Sequence, residues 1–364
     1  MRVVVIGAGV AGLALARALM GGGHEVEVFE EAPEPRTAGG SVTLWPGSTA
    51  ILRELGIDAA AAGRRLETLE SWSARGRMLS AADLTDAERA YGHPTVHVAR
   101  GELVALLAEG VPVTYGAAAE DVDPGGARAR LAGGRTVRGD VLVGADGRRS
   151  AVRHAMLGGD PARLSGWATW QGFTTEPTPL ISAGRAVLIS GEGGLCGLIP
   201  AGGGRLLWWF DVRTAPGRPL WGDDPDPVGK LRRLFGDLPD PVPRILATMT
   251  APEFFPHHTW KIPDVWGHGP TTLAGDSAHT MPPTLAQGAN QALEDAWLLA
   301  RSVTGDLRAY ERARARMVRR SAVLAGIEIT NRHEPLARLV PKRVATGLCT
   351  RWLRWASGYL LTAS

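Results

Sequence analysis

The chain has 364 residues, enough for about two domains. Hydrophobic residues make up 45% and charged residues 21%, which places it among ordinary globular proteins with ample material for a core. Net charge is +3 and lysine occurs only at Lys230, Lys261 and Lys342, so the basic character is dispersed arginine, which argues against a nucleic-acid partner.

The first residues, Met1-Arg-Val-Val-Val-Ile, form a β-branched run read as a buried parallel strand over 2–7. There is no signal-peptide pattern, and the chain enters a glycine motif at once, as if it began inside its fold. Val10 to Met20 has helical apolar spacing and is ended by Gly21-Gly-Gly23. Glu25 to Glu30 alternates into a second strand, which completes a βαβ opening. Leu103 to Ala108 reads as a helix, and Arg135 to Gly144 as a hairpin whose second limb, from Asp140, is buried. Gly194 to Pro200 and Leu206 to Val212 flank a glycine turn and predict a β-hairpin. Pro216 to Pro243 is proline-rich and acidic, expected to be a loop around one short helix.

Thr271 to Gly275 is another buried strand. Asn290 to Val303 is a helix with Leu293, Ala296, Trp297 and Ala300 on one face. Residues 306–364 read as helical. Their basic stretch Arg312 to Arg320 is taken as a solvated helix face, and Leu348 to Leu361 is amphipathic. Residues 161–270 hold seven of the twelve Trp and five of the six Phe, which predicts a packed sheet, an aromatic-lined cavity for an apolar substrate, or both. Cys196 and Cys349 have neither disulfide-framework nor metal-ligand spacing, so a reducing, cytoplasmic setting and no metal are expected. No stretch is apolar for long enough to span a bilayer.

Gly7-Ala-Gly9-Val-Ala11-Gly12 is a G-x-G-x-x-G fingerprint in its required context, closing a strand and opening a helix. Gly7 suits a tight turn, Gly9 close approach of a pyrophosphate, and Gly12 close packing of helix on strand. The helix N-terminus adds free N–H groups and partial positive charge for the phosphates. Glu30, at the end of the second strand, suits an acid accepting hydrogen bonds from ribose hydroxyls and disfavours a 2′-phosphate. This motif alone leaves NAD and FAD open.

Two further motifs follow buried strands. Asp140 to Arg153 carries Asp146-Gly147, and Thr271 to His279 carries Gly275-Asp276, followed by Met281-Pro-Pro-Thr-Leu-Ala-Gln-Gly-Ala-Asn290. An acid at a strand end, such as Asp276, can bond a ribityl hydroxyl, which nicotinamide dinucleotides lack. The amides opening a helix at Gln287-Gly-Ala-Asn290 can face a flavin pyrimidine edge.

In identity and order these motifs resemble the FAD-dependent aromatic hydroxylases, the para-hydroxybenzoate hydroxylase-like monooxygenases, over residues 1 to about 310. The resemblance implies an α/β protein: a Rossmann-like FAD-binding domain with an inserted, mainly β substrate domain and C-terminal helices. Expected boundaries are 1–65, 96–160 and 266–305 for the discontinuous FAD-binding domain, 66–95 and 161–265 for the substrate-binding sheet, and 306–364 for the C-terminal helices. It implies cofactor contacts at Gly7, Gly9, Ala11, Gly12, Glu30, Arg36, Ser41, Arg100, Asp146, Asp276, Pro283, Gly288, Ala289 and Asn290. Structural alternatives stand beside these: Asp276 as a helix N-cap, Arg100 as a surface ion-pair residue, and His279 as a structural residue. His257-His258 has no partner acid at recognisable spacing and receives no role.

The implied chemistry belongs to the cofactor, with no certain catalytic side chain. NADPH or NADH reduces FAD as a transient reductant, O2 adds to give a hydroperoxide, one oxygen hydroxylates or epoxidises a small organic, aromatic or polycyclic substrate, and the other leaves as water. Strand alternation and loose alignment assign the cavity wall to Gln171, Leu198, Trp208, Phe210 and Pro282. A neutral amide at Gln171 argues against a carboxylate-bearing substrate. Two alternatives remain: a flavin-dependent halogenase, partly echoed by Trp260-Lys-Ile-Pro263, and an FAD-holding protein without oxygenase turnover.

Overall fold

The computed structural model describes residues 1–36, 39–214, 225–327 and 340–362. Its first layer is a five-stranded, wholly parallel sheet in the order Thr271–Leu273, Val141–Gly144, Arg2–Ile6, Glu25–Phe29, Val113–Thr114. The central strands are apolar because both faces are covered, with Val3, Val4 and Val5 all fully buried. Register is what positions the site. Ile6 stands beside Gly144 and Phe29, and Gly144 beside Leu273, so the carboxyl ends of four strands are level. Residues just beyond those ends must therefore meet along one edge.

The fingerprint helix, Val10–Gly21, and the long helix Gln287–Ser302 pack on each other above this sheet. Two of the three motif glycines, Gly7 and Gly12, are forced by contact. Gly7 has φ +105°, and a Cβ there would lie 2.3 Å from the Ala145 carbonyl oxygen. A Cβ on Gly12 would lie 2.0 Å from the Gly7 carbonyl oxygen.

The second large element is a seven-stranded sheet in the order Glu253–Thr259, Arg163–Thr174, Leu206–Arg213, Gly194–Pro200, Arg185–Gly191, Thr68–Ser73, Met78–Asp83. The Gly194–Pro200 and Leu206–Arg213 strands form the expected hairpin, with Leu198 opposite Trp208. The outer face of this sheet is covered by the helices Pro227–Phe235 and Val242–Thr248, whose Leu231, Phe235, Ile245 and Leu246 join its core. The first is the one short helix expected within 216–243 and the second begins only at the end of that stretch; residues 215–224 lie outside the described residues.

The Arg135–Gly144 hairpin does not form. Thr136–Arg138 turns back antiparallel on Arg128–Leu131 in a small sheet, whereas Val141–Gly144 enters the parallel sheet. Only the second segment is apolar enough for a strand covered on both sides, so the two separate.

At the C-terminal end are the helices Leu307–Gly326, Lys342–Trp355 and Gly358–Thr362, with 328–339 and 363–364 outside the described residues. The Arg312–Arg320 stretch is not a wholly solvated face. Arg314 is buried, with Nε donating to Asp295 Oδ1 at 2.6 Å and Nη2 donating to Gln291 Oε1 at 2.7 Å. Asp295 also accepts from the Gly275 amide at 2.7 Å and lies 2.5 Å from His279 Nε2. Burial by itself pushes Asp295 up, but the positive partners and these hydrogen bonds hold it below the usual carboxylate range. His279 is thereby a structural residue. No helix among the described residues is long and apolar enough to cross a membrane.

Candidate active site

A single cavity of about 1460 Å³ runs from the carboxyl edge of the parallel sheet to the inner face of the seven-stranded sheet. It exceeds the roughly 300–1,000 Å³ of an ordinary small-ligand pocket, leaving room for a dinucleotide and a second molecule. Its nucleotide side is built from the level strand ends. Gly7, Gly9, Glu30, Arg36, Ser41, Arg100, Asp146, Asp276, Pro283, Gly288 and Ala289 all line it.

The first turn of the fingerprint helix has no side-chain cap and no acid, and a Cβ on Gly9 would touch nothing within 4 Å. The helix therefore presents uncapped amides to open space, the arrangement that binds phosphate. Glu30 is fixed by accepting the Ala8 amide at 2.8 Å and the Ala32 amide at 3.0 Å, and Arg36 lies 3.6 Å away. A carboxylate has about four acceptor sites, so capacity remains for hydroxyl donors.

Asp146 accepts from the Ala151 amide at 2.7 Å and from Ser277 Oγ at 3.1 Å. Burial nevertheless raises it above the usual carboxylate range. The Asp276 side chain caps no helix amide and projects into the cavity, while Gly275 takes the N-cap position. Burial raises Asp276 too, opposed by its neighbours His279, Arg100 and Arg153. Arg100 opens its helix, projects into the cavity and forms no ion pair among the described residues.

Three of the expected residues, Ala11, Gly12 and Asn290, are absent from the cavity lining, although Ala11 and Gly12 carry first-turn amides of the fingerprint helix. Ala11 and Gly12 are turned into the helix–sheet interface, where a Cβ on Gly275 would sit 2.8 Å from Ala11 Cβ. Asn290 is buried and both ends of its amide are engaged: Oδ1 accepts from the Trp45 amide at 2.9 Å, and Nδ2 donates to Thr43 O at 2.8 Å and Ala286 O at 2.5 Å.

The turn ahead of Asn290 is strained. Leu285 (φ +67°) and Ala286 (φ +51°) are consecutive left-handed residues without being glycine, each costing about 1–3 kcal/mol. Both line the cavity, and the helix they open again has no side-chain cap and no first-turn acid. Nearby, His97 bridges Ser41 Oγ (2.6 Å) and Thr43 Oγ1 (2.8 Å), and burial pushes it down to about 3, so it is a neutral imidazole.

On the sheet side the cavity is walled by Gln171, Leu195, Ile199, Leu207, Trp209, Phe254 and their neighbours. Gln171 is where expected; its amide donates to Glu253 at 3.3 Å and reaches Gly40, where a Cβ would lie 2.1 Å away. Leu198, Trp208 and Phe210 are not in the wall. They are one step out of phase and point to the opposite face, where Phe210 stacks on Phe235 at 4.6 Å. Pro282 is buried beside the cavity, and Met281 and Pro283 line it instead.

Sequence reading also missed two contributors. The Lys342–Trp355 helix supplies Leu348, Cys349 and Trp352 to the wall, and Trp45 sits edge-on to Trp352 at 5.8 Å. His257 does have an acid nearby: Thr169 Oγ1 donates to Asp211 Oδ1 at 2.5 Å and lies 2.7 Å from His257 Nε2, all three in the cavity wall. These residues come from three strands, a proximity with no signature in local spacing.

The protein is thus built as a flavin-nucleotide enzyme with a substrate chamber against the cofactor. The chain belongs to the FAD binding domain family, which matches residues 1–321. It is 32% identical over 314 residues to the aurachin C monooxygenase/isomerase of Stigmatella aurantiaca, covering 84% of this chain and 81% of that one. It is 33% identical over 319 residues to a 3-amino-4-hydroxybenzoate 2-monooxygenase of Streptomyces platensis, covering 82% and 78%. Among solved structures, Klebsiella pneumoniae HpxO complexed with FAD and uric acid superposes with a TM-score of 0.83 at 26% identity, covering 99% of this chain and 94% of that one. The protein is an FAD-dependent monooxygenase acting on a small organic substrate. Halogenation finds no support: no lysine lines the cavity among the described residues, and Trp260 lies under the Arg153 guanidinium.

Proposed function

We propose that this enzyme hydroxylates an apolar aromatic or polycyclic molecule held between FAD and the Leu195–Trp209 face of the seven-stranded sheet. The balance is substrate–H + O2 + NAD(P)H + H⁺ → substrate–OH + H2O + NAD(P)⁺. FAD, when bound, supplies the oxygen activation and the electron transfer. The observation that carries the reading is the level register of four strand ends, which brings Gly9, Glu30, Asp146 and Asp276 to one cavity that continues into an apolar chamber.

In this reading the uncapped amides after Gly9 hold the pyrophosphate, Glu30 holds the adenosine ribose, and Asp276 holds the ribityl chain. Arg36, Ser41 and Arg100 flank the cofactor. Asp146 fixes the neighbouring turn, and Pro283, Gly288 and Ala289 face the ring's pyrimidine edge. The segments 1–65, 96–160 and 266–305 act as the nucleotide-holding unit, and 66–95 with 161–265 as the substrate unit. Apolar walls exclude water, and the uncapped amides of the Gln287 helix favour negative charge beside the cofactor. Two free thiols agree with a cytoplasmic setting.

The test is FAD reconstitution followed by a substrate panel, scored by stimulated NADH and NADPH consumption and by product mass. A yellow protein whose product gains one oxygen atom is expected. A folded protein that stays colourless with FAD would refute the reading, and substrate-independent turnover without product would leave an FAD-holding role.

A further inference from the structure

We infer that Trp45 is a positioning residue for the flavin: its indole N–H holds the strained Leu285–Ala286 turn, and with it the amides that face the cofactor. This rests on the FAD reading above. Trp45 follows the Ser41–Leu44 strand and takes the N-cap position of the Pro46–Glu54 helix, 240 residues from Leu285 in sequence but adjacent to it in space. Its Nε1 donates to Leu285 O at 3.2 Å, and its own amide donates to Asn290 Oδ1 at 2.9 Å.

The turn needs such a clamp. Two successive left-handed residues with side chains relax toward ordinary backbone unless neighbours over-determine them. The Leu285 carbonyl has one further side-chain donor, Gln287 Nε2 at 3.3 Å, and Ala286 O is held by Asn290 Nδ2 at 2.5 Å. Thr284, ahead of the turn, donates to Ala325 O at 3.1 Å. The clamp therefore grips both carbonyls of the turn and leaves the amides of the following helix to the cavity. Those amides favour negative charge, which FAD gains on reduction. Trp45 also packs edge-on against Trp352, so the same ring ties the Lys342–Trp355 helix to the flavin-facing turn.

The test compares Trp45→Phe with the natural protein. Phenylalanine keeps an aromatic ring beside Trp352 and removes the N–H together with the five-membered part of the indole. The variant is expected to bind oxidised FAD within a few-fold of the natural protein but to lose about tenfold in preference for the reduced cofactor, a fall of about 30 mV in the bound two-electron potential. Adding Ala286→Gly should recover most of that loss, because glycine holds the left-handed conformation without strain. A purely structural role would give no such rescue. An unchanged potential in Trp45→Phe overturns the inference, as does a lowered potential that the glycine does not recover. If Trp45→Phe does not fold, Trp45→Phe combined with Leu285→Gly decides: recovery of folding supports the clamp, because glycine removes the strain that the N–H was holding, and no recovery overturns it. Failure of the natural protein to bind FAD would refute the functional reading instead.

Discussion

Acid should weaken this fold through His97, and the size of the effect follows from its setting. The imidazole is 2% exposed, bridges Ser41 and Thr43, and burial lowers it from 6.5 to about 3. The unfolded chain takes up a proton below pH 6.5, whereas the folded protein does not. Stability is therefore complete above that pH and declines as pH falls toward 3. At pH 5 the unfolded state gains RT ln(1 + 10^1.5), about 2 kcal/mol, and the limit near pH 3 is about 5 kcal/mol. The perturbation is His97→Gln, which retains polar atoms but cannot ionise. Urea unfolding followed by tryptophan fluorescence at pH 8, 6.5 and 5 measures both proteins. The variant should start less stable at pH 8, yet lose about 2 kcal/mol less between pH 8 and 5. Equal pH slopes in the two proteins would refute the argument.

Neighbouring tryptophans should behave oppositely. Trp208→Ala removes a core ring and should cost about 3–5 kcal/mol in unfolding free energy, whereas Trp209→Ala, in the cavity wall, should chiefly raise KM for the substrate; equal stability losses would show the strand faces to be misassigned. Arg314→Met strands Asp295 in the interior and should cost about 3–5 kcal/mol by urea unfolding. Glu30→Gln should weaken FAD binding by roughly tenfold, the worth of one charge-assisted hydrogen bond, measured by titration of apoprotein.

Local sequence determined the nucleotide side of this protein almost completely. A parallel strand buried on both faces must be uniformly apolar, a strand-to-helix turn over a phosphate must be glycine-rich, and each of these leaves its mark within about a dozen residues. Gly7, Gly9, Glu30, Asp146 and Asp276 were legible for that reason, and aligned strand ends then brought them together. The substrate side was decided by tertiary structure. The Gly194–Pro200 strand is apolar on both faces, one against helices and one against the cavity, and in Leu206–Arg213 the cavity face differs only by Asp211 and Arg213 at its end, so alternation separates the faces while large apolar residues stand on both. Asn290 sat in the right motif, but two of the partners of its side chain, Trp45 and Thr43, lie about 245 residues away in sequence. The Thr169–Asp211–His257 cluster and the Trp45–Leu285 bond likewise join strands and turns remote from one another. Such pairings arise from packing register, which short-range patterns of residues do not encode.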